Sequence, residues 1–353
     1  MTPIEKKLAG FNPNDLGKEG SNLFGLPFEA EEARVVVVPV PWEVTVSYGG
    51  GTINGPEAVF EASMQVDLFD PELPNCYKLG VAMDKIPTAL KKKSKKFRAK
   101  AEECIAALEK GTDKNSKKLK KVQAEIDEAC NEMVDHVYQT TLNFLNKGKM
   151  VALLGGDHST PLGFVKALSK KHKNFGILHI DAHADLRNAY EGFEFSHASI
   201  MFNVLKTKEV TKLVQAGIRD YCEEEFNLIK NSKGRVITYF DKDIKNTLYS
   251  GKSVASLHKE IIKHLPKEVY ISFDIDGLDP KLCPDTGTPV PGGFEFEESL
   301  HLIKTLVDSG RMIIGFDLNE VSPGTNEWNA NVGARLLFRI INLMAKSQGN
   351  KNL

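Results

Sequence analysis

The feature that most constrains this chain is an apolar segment that runs directly into three alternating polar residues. Residues 175–180 are mainly apolar, and Asp181, His183 and Asp185 follow at every second position. If the segment is a β-strand that continues into this motif, the three side chains project from one side, because strand side chains alternate between faces. Carboxylates and imidazoles bind metals, so the segment predicts a strand that ends in one wall of a polar site.

Strand and helix signals alternate along most of the chain. Strands are predicted at residues 34–39, 150–154, 175–180, 212–217, 235–239, 268–273 and 312–317. Helices are predicted between most of them, for example at residues 160–170, 254–264, 296–309 and 330–345. This alternation predicts an α/β fold with a mainly parallel central sheet that helices cover on both faces.

Four of the predicted strands end in polar residues. Besides the first motif, the polar residues at these ends are Asp157, His158, Asp274, Asp276, Asp279, Asp317 and Glu320. Ligands of parallel α/β sheets bind outside the carboxyl ends of the strands, so these residues are expected to form one site.

The composition limits the classes of function. With 353 residues and 41% hydrophobic content, the chain is predicted to form a single domain, 1–353, with a full core. Its 46 Lys and Arg balance 47 Asp and Glu, so no global charge favours nucleic acid or an anionic membrane. No spanning segment or signal peptide is evident, which predicts a soluble, cytoplasmic protein. The five cysteines form no Cys-x-x-Cys pair and are expected to be reduced thiols.

Three segments differ from the alternating pattern. Residues 1–30 lack periodicity and predict an irregular arm lying on the body of the protein or on a partner subunit. Residues 89–147 are Lys-rich and predict a helical insertion of two helices separated near 111–116. Their lysines are interpreted as a solvated face, because the aromatic residues that would stack on bases are missing. Residues 47–52 are glycine-rich but lack phosphate-loop spacing, and predict a tight loop near the site.

The chemistry of the predicted site indicates bound metal. Several buried carboxylates at neighbouring strand ends would be very costly without positive charge. Two histidines and four aspartates without cysteine favour manganese over a thiolate-type zinc or iron-sulfur site, and the set is too large for one ion. Two ions that share carboxylates can activate water for hydrolysis. A metal-binding scaffold without catalysis is the alternative outside enzymes.

Three motifs together resemble those of the ureohydrolase family of arginases, agmatinases, guanidinobutyrases and formimidoylglutamases. They are Gly-Gly-Asp-His-Ser at 155–159, Asp-Ala-His-Ala-Asp at 181–185 and Ser-Phe-Asp-Ile-Asp-Gly-Leu-Asp-Pro at 272–280, in this order. The resemblance implies a three-layer α/β/α fold and a binuclear manganese centre.

The resemblance also assigns roles to individual residues. His158 and Asp185 would bind one metal ion, His183 and Asp276 the other, and the bridging carboxylates would be Asp181 and Asp274. His197 matches the family's catalytic histidine, and Glu320 matches the carboxylate that binds the guanidinium. Asp157 and Asp279 are expected to support the ligands or form turns, and Asp317 to be structural. His179 has no ligand role in the family, although strand alternation leaves one open.

The substrate prediction depends on the residues around the candidate catalytic histidine. The chain lacks the Ser-x-Asn element that arginases place before the catalytic histidine, which argues against arginine and leaves agmatine, cleaved to putrescine and urea, as the default. The alternatives are free guanidine with nickel as the metal, formimidoylglutamate, suggested by the Asp-Leu-Arg-Asn188 continuation, and guanidinobutyrate. The aromatic residues proposed to narrow the pocket are Trp42, Tyr48, Phe193, Phe195 and Trp328. By resemblance, a homo-oligomer, trimer or hexamer, is expected.

Overall fold

The computed structural model describes residues 3–15, 17–18 and 20–350. Its strands are β1 Val35–Val40, β2 Val81–Met83, β3 Met150–Gly155, β4 Phe175–Ile180, β5 Val210–Ile218, β6 Val236–Phe240, β7 Glu268–Asp274 and β8 Met312–Asn319. Its α-helices are α1 Pro3–Leu8, α2 Gly55–Ser63, α3 Thr88–Glu109, α4 Lys117–Asn146, α5 Leu162–Lys171, α6 Ile200–Val204, α7 Glu223–Asn231, α8 Asp241–Tyr249, α9 Val254–Ile262, α10 Phe296–Asp308 and α11 Trp328–Ser347.

The eight strands form one sheet in the order β2-β1-β3-β8-β7-β4-β5-β6, and every neighbouring pair is parallel. The strands β3, β8, β7 and β4, which carry the four polar ends, are therefore consecutive neighbours at the centre. In a parallel sheet all carboxyl ends lie at the same edge. The topology thus brings together motifs that are far apart in the sequence.

Helices pack on the sheet in two groups, which confirms the predicted three-layer α/β/α fold. In one group α4 contacts α3, α5 and the strands β1 and β3, and in the other α11 contacts α2, α10 and β8. Strands β1, β3 and β4 are buried along their whole length, as expected when helices cover both faces. Among the described residues, none of the helices has the length and apolar character needed to cross a membrane.

The Lys-rich segment forms the two helices α3 and α4, separated by residues 110–116. Helix α4 is more than a solvated surface element, because its side chains Ile126, Met133 and Val137 are completely buried in the core. The description of this segment as an insertion stays a prediction.

Other differences from the predicted elements have local causes. Strand β2 has only three residues and too little alternation to be recognised in the sequence. The segment 1–30 includes the short helix α1, and its Leu23 and Phe28 are buried against this chain. All five cysteines are free, as predicted.

Candidate metal centre and adjoining pocket

The turn after β3 places His158 at the centre of the sheet edge. This turn needs glycine, because a Cβ on Gly156 would lie 1.9 Å from the carbonyl oxygen of Trp42. Asp157 closes the turn by accepting hydrogen bonds from the backbone N–H groups of Ser159 at 2.9 Å and Val44 at 3.3 Å. Asp157 is therefore a turn residue. The close approach of Gly156 to the Trp42 backbone fixes the position of the turn and hence of His158.

The ring of His158 faces three carboxylates at once. Its Nδ1 lies 3.0 Å from an oxygen of Asp181 and 3.2 Å from oxygens of Asp185 and Asp274. On the opposite side of the ring, Nε2 lies 2.9 Å from Oγ of Ser272. Although it is surrounded by acceptors, Nδ1 has no hydrogen bond of acceptable geometry among the described residues.

A second group of ligand atoms lies beside the first. Nδ1 of His183 is 3.0 Å from Asp276 and 3.5 Å from Asp181. The ligand atoms of these three residues lie within 4.8 Å of one another, and so do those of a group formed by His158, His179, Asp181 and Asp185. Asp181 belongs to both groups. Asp274 touches His158 and also accepts a 2.9 Å hydrogen bond from the backbone N–H of Asp276, so it links the two sides as well.

His179 lies close to the site but both of its ring nitrogens are occupied by protein. Nε2 lies 2.7 Å from Asp181, and Nδ1 lies 3.0 Å from the amide nitrogen of Gln215. The Gln215 amide is oriented by a donor, Thr238, at its oxygen and by the Ala184 carbonyl at its nitrogen. Nδ1 of His179 therefore accepts and Nε2 donates, which holds the carboxylate of Asp181 in place. This contact makes His179 a support for a ligand.

Asp317 is completely buried and supports His158 indirectly. It accepts a 3.0 Å hydrogen bond from the hydroxyl of Ser272, whose oxygen in turn lies against Nε2 of His158. Asp279 accepts a 3.0 Å hydrogen bond from the backbone of Lys281 and forms a turn. Both residues thus have the structural surroundings that the sequence suggested.

The electrostatics of the cluster show an excess of negative charge. Burial and the neighbouring carboxylates of Asp276 and Asp181 raise the pKa of Asp274 well above its usual value. Burial alone would lower the pKa of His158, but the carboxylates around it raise that pKa well above its usual value. Both shifts reflect the buried negative charge of the carboxylates, which a bound cation would balance.

The donor set fits two divalent cations. The unsatisfied Nδ1 of His158 and the three carboxylate oxygens around it converge on one place, and His183 and Asp276 converge on another. Four aspartates balance two dications, which removes the cost of burying uncompensated carboxylates. Oxygen and imidazole ligands without thiolate suit manganese or a similar ion.

Glu320 and Asp185 share an unusual backbone conformation. Their φ angles are 64° and 55°, in the left-handed region that residues with a side chain rarely adopt. Such strain costs on the order of 1–3 kcal/mol per residue and is found mainly at functional sites. At Glu320 it accompanies a 2.8 Å hydrogen bond from the backbone N–H of His158 to Oε1, while Oε2 is buried and has no partner among the described residues.

A pocket of about 130 Å³ opens beside the cluster. His183, Asp185 and His197 line its inner end, so two candidate ligands and the candidate catalytic histidine share one cavity. Burial, followed by the charges of His183 and His158, lowers the pKa of His197 to about 3, which keeps its ring neutral. Glu320 does not line this pocket, but its Oε1 contacts the backbone of His158.

The aromatic residues of the pocket differ from the predicted ones. The sequence predicts five aromatic residues for the pocket, and none of them lines it. The five are Trp42, Tyr48, Phe193, Phe195 and Trp328. Trp42 and Phe193 are completely buried core residues, whereas Tyr48 is 83% exposed. The aromatic walls are instead Tyr190 and Tyr221.

The outer part of the pocket carries charged groups that the sequence did not single out. Arg187 lies 4.7 Å from the ring centre of Tyr190 and 3.8 Å from a carboxylate oxygen of Glu225. Glu225 already accepts hydrogen bonds from two backbone N–H groups. Asp220 has no hydrogen bond or ion pair to its side chain within the described part of the chain, and it follows the end of β5. Its place just after a predicted strand was the available signal.

Comparisons with known proteins identify the family of this chain. A family model described as the arginase family matches residues 33–342. The N(1)-aminopropylagmatine ureohydrolase of Synechocystis sp. is 30% identical over 324 residues, which cover 91% of this chain and 92% of that protein. The agmatinase of Bacillus anthracis is 28% identical over 295 residues, covering 83% and 85% of the two chains.

Solved structures show the same fold. The crystal structure of the agmatine ureohydrolase of Thermoplasma volcanium has a TM-score of 0.71 and 23% identity, and the match covers 93% of this chain and 96% of that chain. The family match extends over most of the chain and includes all four polar strand ends. The chain therefore belongs to the arginase family and is a hydrolase of the ureohydrolase type.

Proposed function

We propose that this protein hydrolyses a guanidino compound with an amine tail, by default agmatine, to urea and the corresponding amine, using two manganese ions. The observation that carries the proposal is that two groups of ligand atoms share Asp181 and that His183 and Asp185 line the same pocket as His197. A metal-binding scaffold would have no need of a further histidine, outside both groups of ligand atoms, in that pocket.

The six proposed ligands comprise two pairs, each of which would bind one ion, and two bridging carboxylates. His158 and Asp185 would hold one ion, and His183 and Asp276 the other. Asp181 and Asp274 would bridge, since each contacts residues of both sets. When bound, the two ions would activate a water molecule for attack on the guanidino carbon. The same donor set also accepts nickel, which remains an alternative to manganese.

His197 is proposed to handle the proton of the leaving group. Water adds to the guanidino carbon, the bond from that carbon to the alkyl nitrogen breaks, and the nitrogen must gain a proton to leave as an amine. His197 is the residue proposed to carry a proton from the attacking water to this nitrogen, because its imidazole borders the pocket together with His183 and Asp185. The products are urea and the alkylammonium ion.

Glu320 is proposed to orient the guanidinium. Its Oε2 is buried without a partner among the described residues, and Oε1 is fixed by the backbone of His158. A planar guanidinium donates parallel N–H bonds to a carboxylate, which would satisfy this oxygen. Because Glu320 does not line the pocket, contact with the guanidinium would require the substrate to reach beyond the present lining residues.

The distal tail of the substrate is proposed to meet Asp220. This carboxylate lines the outer pocket and, unlike Glu225, has no partner among the described residues. Agmatine carries a primary ammonium at its far end, and two of the relatives are named for agmatine and N(1)-aminopropylagmatine. An ammonium beside Asp220 would form the missing ion pair.

Arg187 supports a second candidate, 4-guanidinobutyrate. This substrate has a carboxylate where agmatine has an ammonium, and the Arg187 guanidinium lines the same outer pocket. Its charge is partly offset by Glu225 at 3.8 Å, which makes agmatine the first choice. Free guanidine would contact neither residue.

The test is urea release from manganese- and nickel-loaded protein with agmatine, N(1)-aminopropylagmatine, 4-guanidinobutyrate, guanidine, formimidoylglutamate and arginine. We expect agmatine to be turned over, with His197→Ala lowering kcat while both ions stay bound. Asp220→Asn should raise KM for agmatine and leave guanidine unaffected, whereas Glu224→Gln, on the exposed surface of α7, serves as the matched control. Absence of urea from every substrate would refute the proposal.

A further inference from the structure

The helices of the Lys-rich segment contact the loop that carries His197. Nε2 of Gln123 on α4 donates a 2.9 Å hydrogen bond to the carbonyl oxygen of Glu191. One helical turn further on, Oδ1 of Asp127 accepts a 2.9 Å hydrogen bond from the backbone N–H of Glu194. Positions four apart lie on the same face of a helix, so the two side chains hold the loop as a pair.

The first contact is made at a tight turn. Tyr190 and Phe193 exchange backbone hydrogen bonds, and the two residues between them, Glu191 and Gly192, have φ angles of 52° and 86°. Positive φ at both central positions is the pattern of a type I′ turn. A Cβ on Gly192 would lie 2.0 Å from the amide nitrogen of Gln123, so a larger residue here would displace the Gln123 side chain from its hydrogen bond with Glu191.

The second contact fixes the peptide that leads to the histidine. Asp127 accepts from the N–H of Glu194, and the carbonyl of the same residue accepts a 2.8 Å hydrogen bond from Asn203 of α6. Glu194 is thus held from two directions, three residues before His197. The side chain of Ser196, buried and adjacent to His197, accepts from the N–H of Ala198 and starts the short helix that carries the ring.

Helix α3, the other helix of the pair, holds a second segment near His197, residues 44–46. Arg98 of α3 donates to the carbonyl oxygens of Val44 and Val46. Burial is the largest cause that lowers the pKa of His197, and the backbone of Thr45, the residue between these two valines, acts in the opposite direction, which places this segment beside the ring. Helix α3 therefore holds a segment next to His197, and α4 holds the loop that carries it.

We propose that α3 and α4 set the position of His197, with Asp127 as the main positioning residue and Gln123 and Arg98 as supports. This inference rests on the proposed function, because it takes His197 as the residue that moves the proton. It gives the Lys-rich helices a role in catalysis although none of these three residues lines the pocket.

The test compares Asp127→Ala with Asp127→Asn in the full-length, metal-loaded protein. We expect Asp127→Ala to lower kcat about 10- to 100-fold, since small misplacements of a catalytic group have effects of this size. Metal content should stay at the wild-type value. Asp127→Asn keeps an oxygen that accepts the same N–H and should recover most of kcat. Glu128→Ala, exposed on the same helix, is the matched control and should change nothing.

A double variant separates positioning from a general structural effect. If Asp127 acts only through His197, adding Asp127→Ala to His197→Ala should lower kcat no further, whereas independent effects would add. Amide hydrogen exchange at residues 194–199 should become faster in Asp127→Ala and remain slow in Asp127→Asn. Should Asp127→Ala fail to fold, Gln123→Ala gives the same comparison with the same expected direction.

Two results would overturn the inference: a wild-type kcat in both Asp127→Ala and Gln123→Ala, or a double variant in which the losses add. Full activity of His197→Ala alone would instead refute the role given to His197 in the proposed function. In that case hydrogen exchange would still show whether α4 holds the loop, so the two failures are distinguishable.

Discussion

The backbone N–H of His158 donates a 2.8 Å hydrogen bond to Oε1 of Glu320, a residue 162 positions away in the sequence. The bond joins the end of β3 to the end of β8, which are neighbouring strands of the sheet. It fixes one oxygen of the carboxylate and leaves the other buried and unpartnered among the described residues. One hydrogen bond thus connects a candidate metal ligand, His158, directly to the candidate guanidinium-binding residue, Glu320.

Glu320→Gln should lower kcat/KM strongly while both metal ions stay bound. The amide oxygen can still accept from His158, so the backbone should remain in place, but the charge that would attract a guanidinium is lost. Charge-assisted hydrogen bonds of this kind are worth roughly 1.5–3 kcal/mol, which predicts a loss of about 10- to 150-fold. Steady-state urea release and metal analysis measure the two effects. Glu327→Gln, exposed before α11, is the control, and a loss of metal in Glu320→Gln would contradict this division of roles.

Asp181→Asn should affect both metal sites, because Asp181 belongs to both groups of ligand atoms. His183→Asn, which removes a ligand from one group only, should leave about one ion per chain. Metal content by elemental analysis distinguishes the two outcomes, with Asp279→Asn, a turn residue outside both groups, as control. Two ions retained in Asp181→Asn would show that the carboxylate does not bridge.

Removal of metal should also lower thermal stability. Burial, and after it the neighbouring carboxylates, raise the pKa values of Asp274 and Glu320, so the charged forms of these groups are destabilised when no cation is bound. Ligands that bind only the folded state stabilise it by mass action, so chelation should lower Tm and manganese should restore it. The variant Asp181→Asn should show a smaller shift than wild type. Equal shifts in both proteins would place the stabilising metal elsewhere.

The sequence predicted the central features of the site because they are local. Apolar strands followed by alternating ligands can be recognised without tertiary information, and the parallel topology then brings β3, β4, β7 and β8 together at one edge. The family match confirmed the resemblance that those motifs suggested. The roles of individual residues, the six metal ligands as well as His197 and Glu320, remain predictions.

The parts that were missed depend on tertiary contacts. Trp42 and Phe193 are aromatic residues near the motifs, and composition cannot show that both are buried in the core. The contact from Asp127 to Glu194 joins a helix and a loop 67 positions apart, and no pattern in either segment specifies it. His179 could be separated from the ligands only when Gln215 was seen to occupy its second nitrogen.

Two histidines far from the site predict a pH-dependent stability. His258 on α9 is buried, and its Nδ1 lies 2.7 Å from Nδ1 of His301 on α10. Burial, and then the charge of His301, lowers the pKa of His258 from 6.5 to about 4. The folded state therefore binds this proton less readily than the unfolded state. Stability from the neutral ring is present above about pH 6.5 and is lost as the pH falls toward 4.

Denaturant unfolding of wild type and His258→Gln between pH 7 and pH 4 measures this effect. The free energy of unfolding of wild type should fall by up to about 3 kcal/mol more than that of the variant, since one pKa unit corresponds to about 1.4 kcal/mol. His301→Gln should retain most of the wild-type slope, because burial is the larger cause of the shift and Gln leaves His258 buried. If His258→Gln loses stability with the same slope as wild type, the buried ring is not the group that titrates in this range.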